Sequence, residues 1–411
     1  MHNHINNTTD LIIVGGGIFG SSIAYYFKRD NPDKEVIVYE RNELCSGNTV
    51  IAAALMSRIR QYAHVIPMSL ETYRVIPELE NITGIQIPMY YNGAIHIAIK
   101  PNNIAILEEM KLIANNYDID CEEITSKKAH QMIPWLNAAI AKKIIHFPGE
   151  AVTDPYLFCM AFANAAKLLG VKYLRNTEVT ELIKTDNEII GIKTSSNTHY
   201  AKTTVLAAGV WSSILAEKAG IHLPMAPVRS QYWITETSTI FNPLSPTILI
   251  PEANFYGRPF GKSLAFGIRE ANSIYVDPRK LPNKIEDFSF NNDMGWDDLE
   301  ENYKKLLPFF PSFEDIGIKN YVAGFSGYTP DNQFIMGKVP GVNGILLATG
   351  CVGAGISVSG GVGLGISRLA SNKENPFDFN KYHPDRFGHF DPFSVEHLSK
   401  CAAARSAKVC G

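Results

Sequence analysis

The chain lacks the features that mark several large protein classes. No apolar stretch reaches the roughly 18 residues of a membrane-spanning helix. The longest candidate, Gly350 to Gly365, is interrupted by glycines. There is no basic block and the formal net charge is −3, so binding to nucleic acid or an anionic membrane has no electrostatic support. The first ten residues are polar and hold no apolar signal-peptide core. The 6 cysteines form no C-x-x-C pair, and a chain of 411 residues needs no disulfide scaffold, which points to a reducing cytoplasm. Internal repeats and low-complexity tracts are absent. What is there, 45% hydrophobic and 19% charged residues, suits a globular protein with ample core for two connected domains.

The most informative segment lies near the start. Leu11 to Val14 is a short apolar β run, followed by Gly15, Gly17 and Gly20 in G-x-G-x-x-G spacing. Ser21 to Phe27 begins a helix, and Val36 to Tyr39 is a second apolar run ending at Glu40. Gly15 permits a sharp turn, Gly17 lets a pyrophosphate approach the backbone, and Gly20 lets the helix pack closely on the strand. Free N–H groups and a partial positive charge at the helix start suit phosphates, and Ile18 and Phe19 lie in that first turn. Glu40 follows Gly20 by 20 residues, where an acid can bind ribose hydroxyls. Together these predict a dinucleotide site.

Along the chain, helices are predicted over Glu71–Leu79, Asn103–Asn115, Tyr156–Leu169 and Trp296–Leu307. Asp154 is the expected N-cap of the third and Gly170 its stop. A turn at Asn92-Gly93 precedes an alternating strand, Ala94 to Ile99. Residues 171–209 are β-rich, and Arg229–Thr235, Ser263–Arg269 and Ser273–Val276 also read as strands. Gly344–Thr349 is a buried strand running into the glycine-rich segment, whose latter part looks helical. Nucleotide-binding elements thus occur at the start, near Thr204–Gly209 and near Ile345–Gly355, with antiparallel-looking strands between them. A dinucleotide domain assembled from separated segments, with another domain inserted, explains this order better than two consecutive domains.

These segments resemble the D-amino acid oxidase-like flavoproteins, a group that includes glycine oxidase and the sarcosine and dimethylglycine oxidising enzymes. Within it the chain is most similar to the β-subunit type of sarcosine oxidase. The resemblance spans roughly residues 10 to 387. It is carried by the N-terminal glycine motif, Val205–Ser213, Pro227–Thr235, the Tyr-x-Arg-Pro pattern within Asn254–Glu270, Gly327–Gly337 with its Thr-Pro-Asp segment, and Ile345–Ser357. It implies an α/β Rossmann-like FAD-binding domain (residues 1–88, 146–225 and 320–375). A mostly antiparallel α+β substrate domain (89–145 and 226–319) is inserted, and a tail (376–411) follows. Beyond the glycine motif and Glu40, it places Arg41, Ser46, Gly47 and Val179 at the cofactor. Further contacts are expected from Ala208, Gly209, Trp211 and Gly337. Gly350, Val352, Gly353, Ala354, Gly355 and Ile356 form a small-residue loop under the flavin. If Ile356 onward is helical, its N-terminus points at the ring and stabilises negative charge there.

Departures from the family shape the chemistry. Where the dimethylglycine dehydrogenase type carries a histidine for covalent FAD, the matching stretch here begins at Ile51. Gly324 or a neighbour stands in the region of the cysteine of monomeric sarcosine oxidases. Non-covalent FAD is expected. The arginine that glycine oxidase-like members place before Thr-Pro-Asp is replaced by Phe325-Ser326-Gly327-Tyr328. Arg258 is the first candidate for a replacement carboxylate anchor and Arg58 and Arg60 the next, since a planar guanidinium can bind both oxygens; each also suits a structural ion pair. Tyr256 and Tyr328 suit the pocket or ordinary packing. Lys262 and Lys338 suit a place over the flavin or solvent, and Asp331 suits a turn.

The resemblance implies oxidation of a small amino acid or N-alkylated amino acid to an imine, by hydride transfer to the flavin. A non-carboxylate amine, a biosynthetic intermediate, and a flavoprotein subunit of a larger complex are the other readings. A homo- or hetero-oligomer is compatible with each. In the tail, His397, Cys401 and Cys410, with His383 or His389, could hold zinc, and Cys401 and Cys410 could pair. A docked helical tail without metal is the default.

Overall fold

The structure is a computed structural model that describes residues 8–60, 62–290 and 294–408. It contains two eight-stranded sheets and a small three-stranded one. The first sheet is built around β1 (Thr8–Val14), which pairs in parallel with Thr198–Leu206 on one side and β2 (Val36–Tyr39) on the other. Leu11, Ile12 and Ile13 are fully buried, as a central parallel strand with both faces covered requires. The closing strand, Val342–Thr349, joins in parallel beside Thr198–Leu206, and Ile335–Val339 pairs antiparallel with it.

Helix α1 (Ile18–Asp30) is buried from Ile18 to Phe27, wedged among Pro155–Leu168 and Ser359–Ala370. Helix α2 (Ile66–Thr83) packs on the same two helices. Glycines make this closeness possible. A Cβ at Gly363 would fall 2.0 Å from Ser22 Oγ, and one at Gly361 2.3 Å from Met68 Cα. Asp154 caps its helix by accepting from the Leu157 N–H at 2.8 Å, and Gly170 ends it with φ +102°.

The second sheet runs Ile318–Tyr328, Ala226–Thr235, Ser263–Ile268, Phe255–Phe260, Thr247–Ile250, Ala94–Ala98, Lys143–Phe147, Glu122–Glu123. Its pairings are antiparallel except Thr247–Ile250 with Ala94–Ala98. An aromatic cluster that includes Trp135, Trp233, Phe266 and Phe310 forms its separate core. The domain limits expected at 145/146 and 319/320 each cut a strand of this sheet. Lys143–Phe147 and Ile318–Tyr328 belong to it throughout, and the chain returns to the first sheet at Ile335.

Two further expectations need correction. The helix after the closing strand begins at Ser359, not Ile356, because residues 355–358 form turns. Ser357 Oγ donates back to Ala354 O there. Cys45 and Cys159 form a disulfide, joining the segment after β2 to Pro155–Leu168. The two cysteines are 114 residues apart, so sequence spacing gave no hint of the pair, and the cysteine argument for a reducing compartment falls. Among the described residues no helix is long and apolar enough to cross a membrane.

Candidate cofactor and active site

A cavity of about 690 Å³ is lined by residues from both large sheets, within the range of cofactor and ligand sites. At one end lies the glycine motif. Gly15 has φ +110°, and a Cβ there would meet Ala207 O at 2.5 Å. Gly17 is the N-cap of α1, with no side-chain cap and no acid in the first turn. The N–H of Ile18 donates to Thr49 Oγ1 at 3.2 Å, and the positive end of the helix dipole still faces the cavity for an anion. Gly17, Ile18 and Phe19 line the cavity; Gly20 does not. A Cβ at Gly20 would sit 1.9 Å from Gly15 O, so its place is in helix-to-turn packing.

Glu40, at the end of β2, also lines the cavity. Its carboxylate accepts from the N–H of Gly16 at 2.8 Å and of Asn42 at 2.9 Å, which fixes its rotamer. Arg41 lies over the Trp211 ring at 4.5 Å, and Trp211 Nε1 donates to Pro282 O at 2.8 Å. A Cβ at Gly47 would meet the same indole at 3.5 Å. Ser46, Val179, Ala208 and Gly209 complete this region. A helix start with no acid in its first turn, a glycine cradle and an acid one strand away fit the phosphates and ribose of a dinucleotide.

Next comes the loop after the closing strand. Gly350, Gly353, Ala354, Gly355 and Ile356 line the cavity. Val352 does not: it is buried, with φ +43°, and its N–H donates to Gly327 O at 3.0 Å. Gly337 is likewise outside. It lies on Ile335–Val339, and a Cβ there would face Phe379 and Leu369.

At the far end the structure brings together Tyr256, Tyr328 and Arg60. Arg60 is buried, Nη2 donates to Ser357 Oγ, and Nε has no partner. Burial lowers its pKa. Burial raises the pKa of both tyrosines, which keeps them as neutral O–H donors. Arg258 does not line the cavity. It follows Tyr256 by two positions on one strand, hence on the same face but a step of roughly 6–7 Å farther along. There its guanidinium lies over Phe260 and donates to Pro259 O.

Arg58 is also outside, beside Glu150 at 3.7 Å. Glu150 accepts from the N–H groups of Arg58 and Ile59 and so fixes the segment that carries Arg60. Burial pushes its pKa up to about 7. Lys262 and Lys338 do not line this cavity, and Asp331 pairs with Arg386 at 2.8 Å while accepting from Thr329 within its turn. In the tail Cys401 Sγ lies 3.6 Å from His397 Nε2; Cys410 is outside the described residues.

A family profile described as FAD dependent oxidoreductase matches residues 10–369. The chain belongs to that family. It is 26% identical to the human mitochondrial sarcosine dehydrogenase over 93% of its own length, and it spans only 42% of that relative. With the glycine oxidase of Bacillus subtilis (strain 168) it shares 25% identity, covering 89% of this chain and 94% of the relative. Its fold is similar to the L-proline dehydrogenase of P. horikoshii, with TM-score 0.81 and 21% identity over 93% of this chain and 98% of that one.

Among the cavity residues of this FAD dependent oxidoreductase family member that escaped the sequence reading are Arg269, Arg405 and Lys408. Arg269 follows the strand Ser263–Ile268 in a segment already singled out by its Tyr-x-Arg-Pro pattern. Arg405 and Lys408 lie beyond the family match, on and just after the C-terminal helix Val395–Ser406. No motif marks them.

Proposed function

We propose that this chain oxidises the C–N bond of a small amino acid or N-alkylated amino acid to an imine, using non-covalently bound FAD. The observation that carries the reading is one continuous cavity. It joins the glycine cradle and Glu40 at one end to Arg60, Arg269 and two tyrosines at the other, with the Gly350–Ile356 loop between.

The cradle, Glu40 and the loop would hold FAD, which supplies a two-electron acceptor. The protein's part is placement. Arg60 faces the carboxylate, with its unpartnered Nε and a guanidinium kept from water. Tyr256 and Tyr328 orient the amine. The substrate's carbon–hydrogen bond gives up its electron pair with the hydrogen, the nitrogen lone pair closes the C=N bond, and one proton leaves the nitrogen. Water then hydrolyses the released imine.

Non-covalent attachment is supported by Ile51 on the cavity wall and by the lack of histidine among the described lining residues; Cys351 is the one cysteine there. Acid denaturation should release all the flavin. Flavin retained on the precipitate would point to Cys351.

The deciding test is the visible spectrum of the holoenzyme without oxygen, recorded as amino acids and N-methyl amino acids are added. Bleaching by one carboxylated amine is the expected result; bleaching only by amines lacking a carboxylate would remove the proposed anchor. The second reading, a flavoprotein subunit, is favoured by the 26% identity to the mouse mitochondrial pyruvate dehydrogenase phosphatase regulatory subunit over 86% of this chain. FAD that no amine bleaches would support it.

A further inference from the structure

We propose that the C-terminal segment, Val395 to Lys408, is part of the active site, and that Lys408 is the residue through which it contacts the carboxylate of the substrate. The inference rests on the reading of the site as one for a carboxylated amine. It concerns residues beyond the family match at 10–369.

The segment is held in place by specific contacts. Ser394 caps the helix by accepting from the His397 N–H, and Leu398, Cys401 and Ala402 are buried against the body. Asn332 Nδ2 donates to Ala404 O at 2.6 Å. Ser406 Oγ accepts from the Ser273 N–H at 2.9 Å, and Arg405 donates to Ser273 Oγ at 3.0 Å while facing Glu270 at 3.9 Å. The last turn is therefore tied to the inserted domain by backbone and side chain together. Such anchoring is what a tail needs if it is to present a side chain at a fixed place.

That side chain is Lys408. It lines the cavity, and its Nζ donates to Val352 O at 3.0 Å, on the glycine loop beside the cofactor end. An ammonium has three donors; Val352 O takes one. The groups around it come from every neighbouring element: Arg60 from the segment before α2, Arg269 from the inserted sheet, Arg405 from its own helix and Cys351 from the loop. Tyr328 adds a hydroxyl 2.8 Å from where a Gly353 Cβ would be, with Lys408 Nζ 3.9 Å from that point. Burial and the three guanidinium groups push the Lys408 pKa down to about 7. Three arginines and a lysine converging on one wall repel one another, and an anion between them relieves that repulsion. Glu270 answers Arg405 from behind, where it also binds Arg229 at 2.8 Å. A carboxylate bound in the cavity would bring Lys408 back to its charged form and accept a charge-assisted hydrogen bond.

The test uses the FAD-loaded enzyme, with propionate and its uncharged analogue propionamide titrated by calorimetry. In K408M propionate should bind at least about tenfold more weakly, with propionamide affinity and FAD content unchanged. K408R should restore propionate binding. Wild-type affinity for propionate should fall as pH rises above about 7, and K408M should lose that dependence. Unchanged propionate binding in K408M would overturn the proposal. So would equal weakening of both ligands, which would make Lys408 a latch on the loop. A wild type that prefers propionate through Lys408, yet is bleached by no carboxylated amine, would leave this anion site standing and remove the proposed oxidation.

Discussion

The two ends of the cavity are built in opposite ways. The dinucleotide end is almost continuous in sequence: β1, the glycine turn, the start of α1 and Glu40 fall within about thirty residues, as one βαβ unit requires. The far end gathers Arg60, Tyr256, Arg269, Tyr328, Arg405 and Lys408 from five separate stretches. A local motif can be specified by glycines at positions where only glycine fits. A wall of long side chains from distant elements is specified by packing, and it can be rebuilt in each relative without disturbing the motif.

The largest effect should come from breaking the local end. Gly15→Ala puts an L side chain at φ +110° and a Cβ 2.5 Å from Ala207 O. FAD affinity, read by equilibrium titration of apoprotein, should fall at least about 100-fold, from strain and clash together of roughly 3 kcal/mol. Retained affinity would show that the turn tolerates rearrangement.

At the far end, Arg60→Met should lower kcat/KM for a carboxylated amine by about 10- to 100-fold while FAD is kept, the loss of one charged hydrogen-bond donor. Arg258→Met should leave kcat/KM within about twofold, since Arg258 does not reach the cavity. The reverse outcome would return Arg258 to the role its motif suggested.

The glycine-rich run offers a comparison within one segment. Gly363→Ala places a Cβ 2.0 Å from Ser22 Oγ and should reduce stability by about 1–3 kcal/mol in thermal unfolding, with the flavin spectrum unchanged. Gly353→Ala, at φ +75° and 2.8 Å from the Tyr328 hydroxyl, should instead lower turnover by about tenfold. Equal effects on both readouts would erase the distinction between the packing half and the cavity half.

An effect on stability alone concerns Glu150, away from the cavity. Its folded pKa is raised from the ordinary 4.5 to about 7. The folded state therefore holds a proton that the unfolded chain releases, and stability falls as pH rises from about 4.5 through about 7. The contribution is about 3 kcal/mol. Denaturant unfolding at pH 5 and pH 8 should show the loss, and Glu150→Gln should flatten it.

Much of the fold was legible. The strand–turn–helix–strand opening, the helices at 71–79, 103–115 and 156–169, and the buried closing strand each rest on short-range patterns, and the structure has them. So was the glycine turn; of the residues expected at the cofactor, Gly20, Val352 and Gly337 lie off the cavity wall. The glycine run was read as a cofactor loop whose latter part is helical. It proves to be a loop to Ile356 and a packing surface from Ser359, and glycine serves both because close approach to a ring and close approach to a helix need the same missing Cβ. The carboxylate candidates were ranked by motif, which put Arg258 first. Strand alternation alone cannot tell that its guanidinium stops at Phe260 and Pro259.

The sequence by itself determined the glycine turn with its following acid, the interleaving of two sheets and the family, because hydrophobic period and glycine spacing act over a few residues. Tertiary structure alone decided the Cys45–Cys159 link, the presence of Arg60 and not Arg258 on the cavity wall, and the arrival of the C-terminal helix at the cavity. Those depend on distances between segments hundreds of residues apart, such as Arg60 and Ser357, which come together only when whole elements pack.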